Sequence, residues 1–466
     1  MNDMEMQMGR DLGLLLPEIT VLLTAVAALV AEMLRKPLAS LGLALLGLLI
    51  ATVLTIPLLG SQTTVFMGTY RIDTLGVWAK LILLPLAALI IVLVRPEIKN
   101  TGREGTVYSL LVFTTVGALV LASAGDTMFV VLGLLLSSLG SFGLVGYPRT
   151  NRATEAALKY FVYGSVTEAV MIFGLTFWFG ATGSTAFADL PRLSTQPFAA
   201  GAGLVGILIG LGYKASIAPF HFWAPDAYDG APLAVAAFLS TVPKIGAIFA
   251  LAQVFSSLAP SALNWPVVVA LLAVFSMTYG NLAALSQSNL VRLLAYSSIA
   301  QAGYFLLGVV ALGKSGLALQ SLVVFAAAYA AMNLGAFAVV ARTGREIKDF
   351  TGLGRTSPWS GAAMVIFLLS LVGVPPLAGF AGKLLLFGAA LDAGLGWLAL
   401  IAILNSVLSL AVYLRIIVPM YQPPATSPSS HLAPARLQWV GLVWAIALVL
   451  TAGMGLAVQL FLSQVV

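Results

Sequence analysis

The sequence predicts an all-α polytopic membrane protein, and three observations lead to this fold class. Of the 466 residues, 60% are hydrophobic and only 9% are charged, whereas a soluble globular protein has about 25% charged residues. The apolar residues form runs of about 20 residues, the length that an α-helix needs to cross a bilayer. The runs lack the short alternating pattern of a membrane β-barrel. This composition excludes a soluble enzyme, a nucleic-acid-binding domain and a disordered regulator.

Fourteen apolar runs follow one another along the chain, and we number them as spans 1 to 14. They cover residues 12–34, 38–59, 74–94, 107–124, 128–147, 156–181, 200–221, 231–257, 264–287, 292–312, 317–341, 358–390, 394–421 and 437–464. Span 1 is too long, and its neighbours are too acidic, for a cleavable signal peptide. Because the chain has no cysteine and two histidines, we expect no iron–sulfur centre, no metal site and no cofactor bound to it.

Basic residues in the loops predict the orientation of the spans. Loops after odd-numbered spans contain 13 basic residues, and the opposite side contains 4. The first set comprises Arg35, Lys36, Arg95, Lys99, Arg103, Arg149, Arg152, Arg292, Arg342, Arg345, Lys348, Arg355 and Arg436, and the second Arg10, Arg71, Arg192 and Lys314. Since cytoplasmic loops are enriched in Lys and Arg, we expect the odd loops in the cytoplasm and both termini outside. The net charge of +6 therefore says little about partners.

Four lysines lie inside the spans, away from the helix end where Lys159 lies, and a charge at such a position needs an explanation. They are Lys80 in span 3, Lys214 in span 7, Lys244 in span 8 and Lys383 in span 12. A charge at the bilayer centre costs about 2.5–3.5 kcal/mol on insertion scales. Snorkelling or a structural ion pair is the alternative to a functional role, and it is strongest for Lys80. The other three lie beside a helix interruption or near the middle of a span, which favours function.

Spans 7 and 12 contain helix-breaking residues next to their lysines. Pro219 follows Lys214 by five residues, and Gly373, Pro375, Pro376 and Gly379 precede Lys383. Interrupted helices in corresponding halves are typical of inverted-repeat transporters, which place ion sites at the breaks. Two inverted five-helix repeats, spans 4–8 and 9–13, would explain the spacing. The expected divisions are residues 1–106 with spans 1–3, 107–257, 258–422, and 423–466 with span 14.

Glu168 is the carboxylate nearest the middle of a span, in the segment YFVYGSVTEAVMIFG. It can neutralise a buried lysine structurally, or it can exchange a proton with one by alternately pairing with it and leaving. His221, in APFHFW, lies at the mouth of span 7. We expect it to form hydrogen bonds or relay protons rather than bind a metal. Lys and Glu groups separated by hydrated cavities would form a proton relay.

These segments resemble the antiporter-like membrane subunits of respiratory complex I, and in particular the subunit N family of proton-pumping NADH-quinone oxidoreductase. The resemblance covers almost the whole chain. Its strings are LPEI at 16–19, LLVFTTVGALVLASAGD at 110–126, FGLVGY at 142–147, TEAALKYFVYG at 154–164, YKASIAPFHFWAPDAYDGAP at 213–232, VRLLAYSSIAQAGY at 291–304, NLGAFAVV at 333–340, DFTGLG at 349–354 and GVPPLAGFAGK at 373–383. LPEI, the 14 spans and the short C-terminus point to subunit N.

The resemblance implies roles for individual residues. Lys214 matches the family's span 7 lysine that exchanges the pumped proton, Lys244 the connecting lysine, and Lys383 the lysine of the outward half-channel. Glu155 and Lys159 match the family's pair at the start of span 6. The resemblance also implies that NADH, FMN, iron–sulfur clusters and quinone belong to other subunits of the complex.

The chain departs from the family in span 5. The family has a glutamate about 12 residues before the tyrosine of FGLVGY, where this chain has Leu135. At 1.5 Å per residue, Leu135 lies about 18 Å from Tyr147, and Glu168 lies about 20 Å from Glu155 on the antiparallel neighbour, so the two have similar depth. We hypothesise that Glu168 replaces the missing glutamate as the partner of Lys214.

Gln301 is the second departure, because the family usually has histidine at this place in SSIAH. Glutamine can orient water but cannot be protonated near neutral pH. The relay between Lys244 and Lys383 would then depend more on water, or Gln301 is only a polar spacer in a hydrated axis.

The predicted function is proton translocation in the membrane arm of a complex I-type quinone oxidoreductase, with NADH or another electron donor. The expected partners are the bilayer and neighbouring membrane-arm subunits, both antiporter-like and small, with no nucleic acid, and the expected location is a bacterial inner membrane. Two alternatives stay open. One is a subunit of a multisubunit cation/proton antiporter or membrane-bound hydrogenase, and the other is a scaffold that has lost transport.

Overall fold

The computed structural model describes residues 3–259, 263–423 and 434–457, and in these ranges the chain is a helical bundle with a small β-hairpin. The helices are α1 (Asp3–Leu14), α2 (Leu16–Met33), α3 (Pro37–Thr55), α4 (Thr74–Ile98), α5 (Glu104–Ala122), α6 (Thr127–Gly146), α7 (Asn151–Thr182), α8 (Pro197–Lys214), α9 (Trp223–Gly230), α10 (Leu233–Ser257), α11 (Trp265–Leu285), α12 (Leu290–Val310), α13 (Leu317–Thr343), α14 (Leu353–Thr356), α15 (Pro358–Val372), α16 (Ala378–Asp392), α17 (Gly396–Met420) and α18 (Pro434–Leu456). The hairpin pairs β1 (Thr63–Val65) with β2 (Tyr70–Ile72).

Thirteen helices in the described ranges are long and apolar enough to cross a membrane. Span 1 corresponds to α2, spans 2–6 to α3–α7, spans 8–11 to α10–α13, span 12 to α15 with α16, span 13 to α17 and span 14 to α18. Span 7 corresponds to α8, and its second half is the short helix α9, which lies just beyond the predicted end at residue 221. Span 12 is not among the thirteen because each half has 15 residues. The predicted all-α polytopic fold is confirmed. The two inverted repeats and the four divisions of the chain stay predictions.

The structure differs from the predicted spans at both ends of the chain and in one loop. Residues 12–14 belong to the separate helix α1, and the first membrane helix begins at Leu16. Because α1 is largely polar in sequence, a search for apolar runs does not find it. The hairpin was missed because its strands have three residues each. The predicted end of span 14, residues 458–464, lies outside the described residues.

Both predicted breaks are present. Helix α8 ends at Lys214 and α9 begins at Trp223, with Ser216 in the left-handed region between them (φ 57°). Pro219 has no amide hydrogen to continue the helix. Between α15 and α16, Gly373 adopts φ 95° at the end of the first half, a conformation that glycine tolerates without steric cost. Each break leaves backbone carbonyls free for side chains.

The buried centre of the bundle consists of α10, α12 and α13, whose residues are almost entirely enclosed. The outer helices, among them α2, α3, α17 and α18, bury only one face. Helices approach closely at small residues: a Cβ atom added to Gly174 of α7 would lie 2.9 Å from the Gly206 Cα of α8. Close contacts at small residues are typical of helix packing in membranes. The central helices carry Lys244 and the polar residues that face the broken spans.

The absence of cysteine allows a direct test of the orientation. Thr64 in the hairpin and Lys99 after α4 are both exposed and lie at opposite ends of α4. We expect a membrane-impermeant maleimide, added to intact cells, to label a Thr64→Cys variant but not a Lys99→Cys variant. After the membrane is permeabilised, both should react. Labelling of Lys99→Cys alone in intact cells would show that the orientation is opposite to the predicted one.

Candidate functional site

Lys214 lies at the end of the half-helix α8, fully buried in the bundle. Its Nζ donates to Ser138 Oγ of α6 at 3.1 Å and to Tyr160 OH of α7 at 3.2 Å. Both acceptors are neutral hydroxyls, so neither cancels the charge of the ammonium. Because α8 stops at this residue, Lys214 is the last helical residue before the break.

Glu168 lies two turns beyond Tyr160 on α7 and is 7% exposed, so it faces the interior rather than lipid. Its carboxylate lies beside Ser138 and interacts electrostatically with Lys214. The two groups do not form a contact ion pair within the described part of the chain, and Glu168 Oε1 has no hydrogen-bond partner there. Ser138 thus lies between a buried ammonium and a buried carboxylate. Leu135 is 37% exposed on the outer face of α6.

Lys244 lies on the central helix α10 and is also fully buried. Its Nζ donates to the carbonyl oxygen of Ser298 at 2.9 Å and to Ser298 Oγ at 2.8 Å. Ser298 Oγ lies 3.5 Å from the hydroxyl of Tyr228 on α9. Lys244 therefore contacts α12 directly and reaches the second half of span 7 through one serine.

Lys383 lies on α16 and binds the end of the other half of its own span. Its Nζ donates to the carbonyl oxygens of Leu371 and Val372, the last residues of α15, at 2.9 and 3.0 Å. It also donates to Ser406 Oγ at 3.1 Å and lies 3.9 Å from the centre of the Tyr304 ring. A cation is stabilised at a helix C-terminus, where carbonyl dipoles converge. The break in span 12 thus forms the ammonium site.

Gln301 connects the second and third lysines. It lies one turn after Ser298 on α12, and its Nε2 donates to the Leu371 oxygen at 3.1 Å, the same atom that accepts from Lys383. Gln301 Oε1 is buried and has no hydrogen-bond partner among the described residues. Lys244, Ser298, Gln301 and Lys383 therefore follow one another along a buried polar line.

Glu155 and Lys159 form the predicted pair, near the N-terminal end of α7. Lys159 Nζ lies 2.8 Å from Glu155 Oε1, and both side chains are exposed. The structure adds two residues that the sequence did not single out: Asp226 Oδ2 lies 3.2 Å from Lys159 Nζ, and Asp226 Oδ1 lies 2.6 Å from Arg292 Nη1. Their only signal was the position of Asp226 just after the break in span 7, since Arg292 resembled an ordinary loop charge.

His221 lies in the break of span 7, 2% exposed. Its ring packs against Phe222 and Tyr279, with centroid distances of 4.6 and 4.7 Å. Within the described ranges, no hydrogen bond joins it to any of the three lysines. Among the same residues, no three His, Asp or Glu side chains lie close enough together to hold a metal ion.

Lys80 forms a structural ion pair, which was the alternative to a functional role. Its Nζ lies 2.8 Å from Glu18 Oε1 of α2, and the hydroxyl of Tyr70 in the hairpin donates to the same carboxylate oxygen. This ion pair connects α2, β2 and α4 and is separate from the line of the other lysines.

A cavity of about 800 Å³ opens beside the start of α7, lined in part by Arg103, Arg152, Asp229 and Arg345. Arg345 Nη1 and Nη2 donate to the carbonyl oxygens of Asp229 and Ala231 at 2.8 and 2.9 Å. Burial lowers the pKa of the Arg345 guanidinium from its usual value, but an arginine in a protein stays charged. The cavity lies where α9 meets α10.

Comparison with known proteins gives consistent results. The family model described as NADH:quinone oxidoreductase/Mrp antiporter, TM matches residues 124–409. NADH-quinone oxidoreductase subunit N 1 of Streptomyces griseus is 38% identical over 98% of both chains. F(420)H(2) dehydrogenase subunit N of Methanosarcina mazei is 35% identical over 96% of both chains. A chain of respiratory complex I from Thermus thermophilus superposes with a TM-score of 0.83 at 32% identity, over 96% of this chain and 99% of that chain.

The buried oxygens of Glu168 and Gln301 generate a testable prediction. A buried polar atom without a partner is costly unless water satisfies it. We expect a high-resolution cryo-EM map of the assembled complex to contain an ordered water within hydrogen-bond distance of Glu168 Oε1 and another at Gln301 Oε1. Apolar side chains closed around both atoms, with no water density, would contradict a hydrated line.

Proposed function

Because the chain belongs to the NADH-quinone oxidoreductase subunit N family, we propose that it translocates protons in the membrane arm of a complex I-type quinone oxidoreductase. The observation that carries this proposal is the arrangement of three fully enclosed lysines, each linked to a broken helix or to a residue beside one. A charge at membrane depth is expensive, and within the described ranges these three lack a contact carboxylate such as the one that stabilises Lys80. Such sites favour loss and gain of a proton over a permanent charge.

The proposed route runs from the cytoplasm to Lys214, through Lys244, to Lys383 and the outside. Lys214 receives the proton with Glu155 and Lys159 at the cytoplasmic approach. Transfer towards Lys244 uses the hydroxyls of the break and of α12, since Tyr228 and Ser298 lie between the two halves. Transfer from Lys244 to Lys383 uses water held beside Gln301, because an amide cannot itself take up the proton. His221 contributes hydrogen bonding at the break.

Glu168 is the proposed partner of Lys214 in place of the absent span 5 carboxylate. Its buried charge attracts the ammonium across Ser138, and the lack of direct contact leaves room for two arrangements. When Glu168 pairs with Lys214, the ammonium is stabilised and holds its proton. When Glu168 moves away, the enclosed ammonium is left with neutral hydroxyls and releases the proton.

Redox chemistry is proposed to occur on other subunits. An iron–sulfur centre is held by cysteine thiolates, and this chain has none, so the clusters would be held by its partners. The resemblance to the subunit N family implies that NADH, FMN and quinone bind to those partners as well. The electron donor is left open between NADH and reduced F420, because the relatives include subunits of both kinds of enzyme. We place the chain in a bacterial inner membrane, beside other membrane-arm subunits and with both termini outside.

A second candidate is cation/proton exchange, since the matching family model is shared with Mrp antiporters. It is less well supported, because relatives that match nearly the whole chain are named as oxidoreductase subunits. Pumping driven by electron transfer and exchange driven by a sodium gradient are separable in vesicles. Proton uptake that requires quinone reduction and no sodium supports the first function.

Substitutions of Lys214 and Glu168 test whether this pair takes part in proton transport. In the assembled enzyme, Lys214→Ala and Glu168→Gln should each lower quinone-reductase turnover and proton uptake by roughly tenfold, equivalent to about 1.4 kcal/mol of barrier. The physical reason is that the proton moves when Glu168 alternately pairs with Lys214 and leaves it, and this exchange needs both charges. Both activities are measured per assembled complex in proteoliposomes.

Lys80→Ala and Glu18→Gln are matched controls, because this pair is comparably buried but lies outside the proposed route. We expect the controls to reduce the amount of assembled complex, while each complex that forms retains its turnover and proton uptake. Normal turnover and pumping in both Lys214→Ala and Glu168→Gln would instead favour a scaffold that has lost transport.

A further inference from the structure

The half-helix α9 touches the surroundings of two lysines at once. Trp223 stacks on the ring of Tyr160, with 4.3 Å between centroids, and the Tyr160 hydroxyl accepts from Lys214. At the other end of α9, the Tyr228 hydroxyl lies 3.5 Å from Ser298 Oγ, which accepts from Lys244. A movement of α9 therefore disturbs the hydrogen bonds of both lysines.

Asp226 holds the cytoplasmic side of α9 between two other helices. One carboxylate oxygen binds Lys159 of α7 at 3.2 Å, and the other binds Arg292 of α12 at 2.6 Å. Helix α7 carries Tyr160 and α12 carries Ser298, the acceptors of the two ammonium groups. A single side chain thus connects the helix that serves Lys214 with the helix that serves Lys244.

The contact between Asp226 and Lys159 of α7 can break while the contact with Arg292 is kept. Lys159 lies 2.8 Å from Glu155 as well as 3.2 Å from Asp226, so Glu155 can retain Lys159 when Asp226 releases it. Arg292 and Asp226 are each about one-third exposed and lie closer together, so solvent screens this contact less than the Lys159 contacts. Asp226 can therefore stay on α12 while it leaves α7.

The neighbouring carboxylate of α9 anchors the end of the half-helix. Asp229 pairs with Arg152 and accepts from Asn289 at 2.9 Å, while Arg345 binds the backbone at Asp229 and Ala231. The end of α9 is fixed from three sides, whereas Asp226 is held by the exchangeable pair.

We propose that Asp226 is a positioning residue that couples the proton exchange of Lys214 to that of Lys244 through α9. When it bridges Lys159 and Arg292, α9 keeps Trp223 against Tyr160 and Tyr228 against Ser298. When Lys159 turns to Glu155, α9 is free to shift and both lysines change partners together. The inference rests on the proposed function, since it needs protons to move between these two lysines.

The test compares Asp226→Asn with Asp189→Asn in the assembled enzyme. Asp189 is a matched control, because it pairs with Arg192 at 3.0 Å and has a similar exposure, 27% against 33%, outside the route. We expect Asp226→Asn to lower turnover and proton uptake by roughly fivefold or more, with the KM for quinone unchanged. Asp226→Glu should retain most of the wild-type activity. Asp189→Asn should behave as wild type.

A steric variant displaces the same half-helix without touching a charge. A Cβ atom at Gly230 would meet the Ala156 Cβ of α7 at 2.3 Å, so Gly230→Ala must push α9 away from α7. We expect Gly230→Ala to reproduce the fall in turnover at unchanged KM. This variant also keeps the idea testable if Asp226→Asn fails to assemble.

Two outcomes distinguish a failure of the proposed Asp226 coupling from a failure of the proposed proton-translocating function. If Lys214→Ala abolishes pumping while Asp226→Asn and Gly230→Ala both match Asp189→Asn, the coupling role is wrong and the proposed function stands. If Lys214→Ala also pumps normally, the proposed function fails and the coupling role fails with it.

Discussion

The cost of enclosing an ammonium group at membrane depth determines much of this structure. An uninterrupted helix satisfies its backbone groups internally and offers a buried cation few acceptors; Lys244 finds both of its acceptors at one residue of α12, Ser298. The chain breaks two of its spans beside Lys214 and Lys383, and each break frees backbone groups or redirects side chains towards the charge. The almost fully buried helices α10, α12 and α13 then keep these polar groups away from lipid.

The three lysines solve the same problem with different chemistry. Lys214 has two hydroxyls and a nearby carboxylate, Lys244 has one serine, and Lys383 has the carbonyl end of a half-helix. Lys80 is the contrasting case, because a direct ion pair neutralises it. A cation with a contact carboxylate has little reason to lose its proton, whereas a cation among neutral acceptors can do so. This difference distinguishes the three lysines of the proposed route from Lys80, whose ion pair holds helices together.

Much of the fold follows from the sequence because hydropathy, proline and lysine each have a large physical cost in a membrane. Apolar runs identified the spans, prolines identified the breaks, and the cost of buried charge singled out Lys214, Lys244 and Lys383. The hydroxyl partner Ser298 could not be found in this way, since serine is inexpensive anywhere in a helix. Asp226 and Arg292 were missed for a related reason: they are 66 residues apart, and nothing local shows that a broken span brings them together.

In the proposed route, Glu168 changes its pairing with Lys214 during turnover. Infrared difference spectroscopy of the assembled enzyme, recorded between oxidised and reduced states, observes the carboxyl groups whose protonation or environment changes. We expect a carboxyl signal in the wild-type difference spectrum that is missing from Glu168→Gln and altered in Lys214→Ala. Carboxyl regions that are identical in wild type and Glu168→Gln would show that Glu168 is a static charge that does not exchange partners with Lys214.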